Sequence, residues 1–388
     1  MSFYAQRGVS AHKEDVLAAT AHLNQGLFPK AFCKIYPDYL GKDPDWVNVM
    51  HADGAGTKSI LAYLYWKETG DISVWQGISQ DAIVMNLDDL LCVGITDDLV
   101  FNSTIDRNKH LIPGEVLDQL IQGSQSFFDQ LRTYGVNIHY LGGETADVGD
   151  VVRTVAVNGT MTSRWPKNKL ITNEKIKAGD VIIGLDSHGK ATYESFYNSG
   201  IGSNGLTSAR HDALSKYYSI EFPESYDPKT AESVCYIGKN RMTDSSPDSN
   251  FNHIGQMLLS PTRTYAPVIK KLLDECFEDI HGLIHCSGGG QTKCLKYMSD
   301  DIKIIKDNLP EQPAIFKLLQ QNSGASDREM MEVFNMGIRL EIYCPEHAAD
   351  KIISISNSLG IGAHRIGRVE SNVKKSLEIL WNDQRIVY

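Results

Sequence analysis

Residues His51-Ala52-Asp53-Gly54-Ala55-Gly56-Thr57-Lys58-Ser59 gather two glycines, an acid, two hydroxyls and a lysine within nine positions. Such a set suits a polyphosphate and its metal. Gly54 and Gly56 let backbone N–H groups approach an anion, Lys58 can neutralise charge, and Asp53 can hold a divalent cation. The segment is not a Walker loop, which runs Gly-x-x-x-x-Gly-Lys-Ser/Thr, because Thr57 stands between Gly56 and Lys58. A tight glycine turn with a solvated lysine is the competing reading.

Three acids follow in Asp81-Ala82-Ile83-Val84-Met85-Asn86-Leu87-Asp88-Asp89-Leu90-Leu91, a strongly apolar helical pattern. On an ideal helix Asp81 and Asp88 point within about 20° of one another, and Asp89 lies about 80° round from Asp81. Acids in such company are costly unless paired, solvated or bound to metal. The plainer alternative is an N-cap at Asp81 and two surface acids. Gly142-Gly143-Glu144-Thr145-Ala146-Asp147 reads as a glycine turn after a strand, where open α/β sheets bind ligands, so Glu144 is a third candidate carboxylate. Two further glycine-rich runs are Asn198-Ser199-Gly200-Ile201-Gly202-Ser203-Asn204-Gly205 and Cys286-Ser287-Gly288-Gly289-Gly290. With Ser260-Pro261-Thr262-Arg263, whose arginine could clamp a phosphate, they suggest a cleft for phosphorylated ligands.

Alternating strands and helices must position these residues. β-branched runs at 47–50 and 151–157 predict strands, and 114–131 predicts a helix with Val116, Leu117, Leu120, Ile121, Phe127, Phe128 and Leu131 mainly on one stripe. That helix should stop at Gly135, before a strand at 136–141. A polar, proline-containing stretch at 164–179 reads as a domain connection, and an apolar strand opens at 180–185. The boundary near residue 170 gives domains 1–170 and 171–388. In the second, 267–277 predicts a helix and 283–285 and 338–343 predict strands. Between 207 and 252 prolines and a Ser/Asp/Asn cluster suggest a long excursion, a flap or a partner-contacting insertion.

A chain of 388 residues with 42% hydrophobic content is long enough for about two or three packed domains. The net charge of −10 argues against nucleic acid or an anionic membrane as partner and leaves room for a local basic pocket. No apolar run reaches membrane-spanning length and the first residues lack the layout of a secretion signal, so a cytoplasmic protein is expected. The seven cysteines are scattered without a Cys-x-x-Cys pair, which predicts reduced, mostly buried thiols in preference to a zinc site at Cys286, Cys294 and His281 or His285.

The order of the motifs carries a resemblance. Asp53-Gly-Ala-Gly-Thr-Lys58, Asp88-Asp89-Leu90, Gly142-Gly-Glu-Thr-Ala146, 199–205, Leu259-Ser-Pro-Thr-Arg-Thr-Tyr265, Gly288-Gly-Gly290 and Phe334-Asn-Met-Gly337 resemble the phosphoribosylformylglycinamidine cyclo-ligase, or aminoimidazole ribonucleotide synthetase, family. The likeness spans about 50–365. Its first two elements also occur in a wider ATP-using superfamily that includes selenophosphate synthetase, thiamine-monophosphate kinase and a hydrogenase maturation factor. The Ser-Pro-Thr-Arg-Thr-Tyr and Phe-Asn-Met-Gly elements are more specific to the cyclo-ligases.

The resemblance implies a two-domain α/β (α+β) fold whose N-terminal mixed sheets pair in a homodimer. It implies ATP and Mg²⁺ as cofactors and formylglycinamidine ribonucleotide as substrate. Asp53, Lys58, Asp89 and Glu144 would be catalytic, with Asp53, Asp89 and Glu144 on the metal. Gly54, Gly56, Thr57, Lys58, Gly142, Gly143 and Thr145 would bind the nucleotide, and Ser203, Asn204, Arg263, Gly288, Gly289 and Gly290 the substrate. A sister enzyme of the superfamily and a nucleotide-binding regulator without catalysis are the alternatives. The chain departs from the family at Gly202, where a histidine is usual, and at Asp88, where asparagine is commoner; His188 and His211 flank the first gap.

Overall fold

The run 47–50 forms a strand, but in the computed structural model, which describes residues 2–10 and 14–388, it continues into the first glycine of the opening motif. This strand, β2 (Trp46–Gly54), follows β1 (Ile35–Pro37) and precedes two helices, α1 (Lys58–Thr69) and α2 (Val74–Leu91). Next come β3 (Leu99–Arg107), α3 (Gly114–Arg132), β4 (Ile138–Asp147) and β5 (Val155–Pro166). The five strands form one sheet in the order β1-β2-β5-β3-β4. Only β3 and β4 are parallel, and α3 is the crossover such a pair requires.

Period-two burial gives the sheet one covered face. Val47 and Val49 of β2, and Leu99 and Phe101 of β3, are buried with α2 and α3, whereas Met50 on the opposite face is exposed. The α3 stripe is as expected at Val116, Leu120, Phe127, Phe128 and Leu131, while Ile121 at its edge is exposed. The two helices meet closely at Gly123, where a Cβ would lie 2.5 Å from Ser79 Oγ and 2.6 Å from Gln76 Cα. Three expectations need correction. The strand predicted at 151–157 starts only at Val155, and β5 runs on to Pro166 into the supposed connection. The predicted turn at 142–147 is strand throughout.

The run at 180–185, apolar after Asp180, becomes β6 (Asp180–Asp186), buried along nearly its whole length in a second sheet. After β6 come α4 (Leu206–Ala213), α5 (Ala266–Cys276), β7 (Gly282–His285), β8 (Ile302–Lys306), β9 (Ile338–Pro345), α6 (Ala349–Ser358), β10 (Ala363–Ser371), β11 (Ser376–Trp381) and β12 (Gln384–Val387). The sheet order is β12-β11-β8-β10-β6-β9-β7.

The excursion at 207–252 is neither wholly irregular nor a free flap. Its first residues are α4, and the remainder packs on α1 of the first domain: Glu68 accepts from Tyr218 Oη, from Arg241 Nη2 at 2.8 Å and from Thr243 Oγ1 at 3.0 Å. Tyr218, Tyr236 and Met242 are buried beneath it. All seven cysteines are buried and unpaired. Among the described residues no helix is long and apolar enough to cross a membrane.

Candidate active site

The opening motif divides between three local structures. Residues 51–54 are strand, Ala55 to Thr57 turn, and Lys58 begins α1. The two glycines therefore serve different needs. At Gly54 a Cβ would sit 2.1 Å from Asn158 Oδ1 and 2.6 Å from Val157 O, so the residue is small because β5 is close. Gly56 has φ +56° and open space around its missing Cβ, which leaves its backbone accessible to a ligand. Thr57 Oγ1 lies 3.0 Å from Thr207 Oγ1 at the start of α4, joining the turn to the second domain.

Lys58 is not solvated. Its Nζ is buried between Asp81 Oδ1 at 2.8 Å and the Ser260 carbonyl at 2.6 Å, and burial lowers its pKa against the opposing pull of Asp81. The same Asp81 oxygen accepts from Thr262 N at 2.7 Å and Thr262 Oγ1 at 2.5 Å. The pair thus pins the Ser260-to-Thr264 loop to α2. The N-cap and surface-acid reading is overturned, since Asp81, Asp88 and Asp89 are all buried and α2 begins at Val74.

The other two acids hold a network across the domains. Asp88 Oδ2 accepts from Arg339 Nη2 of β9 at 2.9 Å and its Oδ1 from Thr264 Oγ1 at 2.6 Å; burial still raises its pKa. Asp89 lies between two imidazoles, His285 Nδ1 of β7 at 2.6 Å and His51 Nε2 of β2 at 3.1 Å. Burial alone would raise the Asp89 pKa, but hydrogen bonds from His285 and His51 hold it well below the usual carboxylate range. Arg339 Nη1 is 2.7 Å from His285 Nε2, so this ring carries its proton on Nδ1 toward Asp89.

The proposed metal carboxylates are not brought together. Paired residues of adjacent strands share a face. Asp53 is in register with Gly159, Ser103 and Gly143 on the helix-covered side, whereas Glu144 is in register with Thr104, Asn158 and Gly54 on the other. The cause is a bulge in β4: two steps on β3, Phe101 to Ser103, oppose three on β4, Tyr140 to Gly143, with Gly142 at φ +86°. Asp89 is already claimed by its two histidines. Among the described residues no group of three or more His, Cys, Asp or Glu side chains is arranged to hold a metal. The single cage of Asp53, Asp89 and Glu144 is therefore not formed within one chain. Asp53, exposed on the α2 side, still fits a Mg²⁺ that arrives with phosphates, which needs only one or two protein carboxylates. Gly143 is small because a Cβ would meet Ser103 O at 2.3 Å, and the exposed Thr145 donates its N–H to Glu144 Oε1.

In the second domain the glycine-rich loops pack on one another. Ser203 Oγ is 2.9 Å from Thr262 Oγ1, and Asn204 Nδ2 comes within 3.9 Å of a Cβ built on Gly288. Gly289 has φ +102°; at Gly290, φ +51°, a Cβ would strike Met331 O and Phe334 O. Asn335 ties the loops together, donating to Gly200 O at 2.9 Å and accepting from Ser187 Oγ at 2.9 Å. Arg263 is not a phosphate clamp: its buried guanidinium is committed to Glu194 and to the carbonyls of Asp186 and His188.

Models of the AIR synthase related protein family match both domains, the N-terminal model at residues 36–165 and the C-terminal model at 177–379. The chain belongs to the AIR synthase family. It is 31% identical over 351 residues to the phosphoribosylformylglycinamidine cyclo-ligase of Methanocaldococcus jannaschii, covering 88% of this chain and 86% of that one. With the cyclo-ligase of Methanothermobacter thermautotrophicus it shares 29% over 378 residues, 95% and 94% of the two chains. The fold is shared with thiamine monophosphate kinase from Aquifex aeolicus (TM-score 0.52, 11% identity, 97% of each chain). It is also shared with the hydrogenase maturation protein HypE solved in complex with ATP (TM-score 0.50, 15% identity, 80% and 78%).

Gly202, the position where the sequence resemblance implies a histidine, has informative surroundings. A Cβ there would lie 3.5 Å from Arg339 Cδ and 3.7 Å from Asn335 Nδ2, so the position faces Arg339 and Asn335. His211 is no substitute: it is buried, and burial together with Arg210, Arg7 and Lys216 lowers its pKa to about 2. His188 is half-buried with its pKa lowered chiefly by burial. His51 and Asn335 stand inside the sequence motifs and His285 among the discounted zinc candidates, but their pairing is not foreseen from sequence, and Arg339 is missed altogether. Arg339 left one signal, a charge inside the apolar strand run Ile338-Arg339-Leu340-Glu341-Ile342.

Proposed function

We propose that this AIR synthase family member is an ATP-dependent phosphoribosylformylglycinamidine cyclo-ligase. The observation that carries the reading is the meeting of the opening motif with second-domain loops, Thr57 against Thr207 and Lys58 against the Ser260 carbonyl, in a chain that follows the cyclo-ligases through both domains. The amide oxygen of formylglycinamidine ribonucleotide attacks the γ-phosphorus of ATP and ADP departs. The amidine nitrogen then attacks the resulting iminophosphate carbon, the five-membered ring closes, and phosphate leaves with the oxygen. Both reacting ends belong to one molecule, so holding it folded supplies much of the acceleration.

The backbone at Gly56 and the start of α1 offer N–H groups to the nucleotide phosphates. Asp53 would hold Mg²⁺, which supplies charge neutralisation on the phosphoryl oxygens. Lys58 acts at one remove, as a positioning residue that fixes the Ser260-to-Thr264 loop through Asp81. Gly202 favours a second reading, a nucleotide-binding protein without catalysis. Purified protein given formylglycinamidine ribonucleotide and ATP separates them. ADP with aminoimidazole ribonucleotide supports the cyclo-ligase, ATP binding without product supports the regulator, and ADP formed only with another acceptor points to a sister enzyme.

The same reading includes a cytoplasmic homodimer that pairs first-domain sheets. It is supported by the uncovered sheet face, on which Met50 is 66% exposed, and by the exposed Leu141 at the β4 bulge. Met50→Glu should convert a dimer measured by light scattering into a monomer; an unchanged mass would discard this surface as the interface.

A further inference from the structure

Arg210 and His211 occupy the last turn of α4, at the end of that helix remote from the Ser203-Asn204-Gly205 loop. Arg210 is only 3% exposed and has no carboxylate partner among the described residues; its Nε and Nη1 meet no acceptor at good hydrogen-bond geometry, and the neutral Tyr236 phenol is its one weak partner. Its Nη2 lies 3.3 Å from His211 Nε2, which offers no relief. His211 Nδ1 accepts the Tyr236 N–H at 3.0 Å, so the proton of the neutral ring resides on Nε2 and faces the guanidinium. The groups that favour the Arg210 charge are the Tyr236 phenol and Cys235 thiol, and burial raises the pKa of both, keeping them neutral. Arg7 adds a further positive charge nearby, although it has its own partners in Asp212, Ser208 and Val234 O. A buried guanidinium without a counter-ion is costly enough to call for an anion.

Tyr236 packs against this cluster with its phenol bonded to Ser225 Oγ. Its ring centroid is 4.6 Å from that of His211 and 5.9 Å from Arg210 Cζ. It also lines an open cavity of about 770 Å³ with Lys216, Glu232, Ser233, Ile237 and Gly238. The Tyr236 backbone has φ +46°, a left-handed conformation that bulky residues adopt only at a cost. We propose that this cavity is an anion site separate from the active-site cleft, taking a phosphate group, free or carried by a small ester, with Arg210 as its counter-charge once Tyr236 moves aside.

The test titrates the full chain with inorganic phosphate and, separately, with ribose 5-phosphate in chloride-free buffer, reading Tm and calorimetric heat. Arg210→Met, Arg210→Lys and the cleft variant Thr57→Ala are compared with the parent. A saturable rise in Tm is expected for the parent and Thr57→Ala, partly retained in Arg210→Lys and abolished in Arg210→Met. Without phosphate, Arg210→Met should unfold no lower than the parent, because it removes an uncompensated buried charge. The tighter of the two ligands identifies the source of the phosphate group. A parental phosphate response in Arg210→Met, no response in the parent, or loss of the response only in Thr57→Ala overturns the proposal. A phosphate-free Tm for Arg210→Met well below the parent also overturns it, by showing that Arg210 has a partner in the folded chain. None of these results depends on the cyclo-ligase reading.

Discussion

Replacing Lys58 by Met would leave the Asp81 carboxylate buried beside Thr262 with its ammonium partner gone and its Oδ2 already without a hydrogen bond. Breaking a buried pair in this way costs about 3–5 kcal/mol, whereas removing both charges together costs far less. Lys58→Met is therefore expected to lose that much stability in urea titrations, and Lys58→Met/Asp81→Leu to recover a large part of it. A lysine that served only to meet phosphate would leave the unfolding curve unchanged. His51 gives a residue-scale prediction with a pH axis. Burial alone would lower its pKa, but the hydrogen bond and charge of Asp89, with Asp53, raise it. A raised histidine pKa stabilises the fold fully below the unfolded value of about 6.5, and the contribution is lost as pH climbs through the folded value. The Tm deficit of His51→Gln should accordingly be largest near pH 6 and shrink toward pH 9. A deficit that stays constant would show that the imidazole contributes shape and not charge.

Elements translate these contacts into tolerance for change, and the glycines of β2 and its turn separate two causes. Gly54→Ala drives a methyl into Asn158 and the Val157 carbonyl and should cost as much as about 3 kcal/mol, the upper range for overpacking. Gly56→Ala meets open space and pays only for its left-handed φ, about 1 kcal/mol. Thermal melts of the two variants should rank in that order, and equal losses would remove the packing argument. Sequence pattern was a good guide where burial is periodic: α3, β6, α5 and β9 lie within a few residues of their expected positions because one face or one run had to be apolar. It failed where tertiary partners override local cues. The Gly142–Gly143 pair looked like a turn, but hydrogen bonding to β3 carries the strand through it and the bulge turns Glu144 to the far face. Three aspartates in α2 could be metal ligands or surface acids on spacing alone. Their partners, Lys58, Arg339 and His285, come from a helix and two strands distant in sequence.

Across the whole molecule these same pairs join the two domains. Asp88 and Asp89 belong to α2 of the first domain, while Arg339 and His285 belong to β9 and β7 of the second; Lys58 reaches the Ser260 carbonyl, and Glu68 holds Arg241 of the excursion. With ties of this kind both buried and distributed, the domains separate only by breaking several buried charged contacts at once. The chain should therefore unfold in one cooperative transition, with calorimetric and van't Hoff enthalpies in agreement. Arg339→Met is the sharpest probe, because it leaves Asp88 with only neutral donors and removes the group that fixes His285. It should lower the stability of the entire chain by about 3–5 kcal/mol while the transition stays single. The matched control is Arg365→Met, which breaks an ion pair to Glu346 whose side chains are about half exposed; exposed pairs contribute between about 0 and 1 kcal/mol, so its Tm should scarcely move. If Arg339→Met instead splits the melt into two transitions, or destabilises only the second domain, the coupling resides in the apolar contacts between the domains and not in these charges.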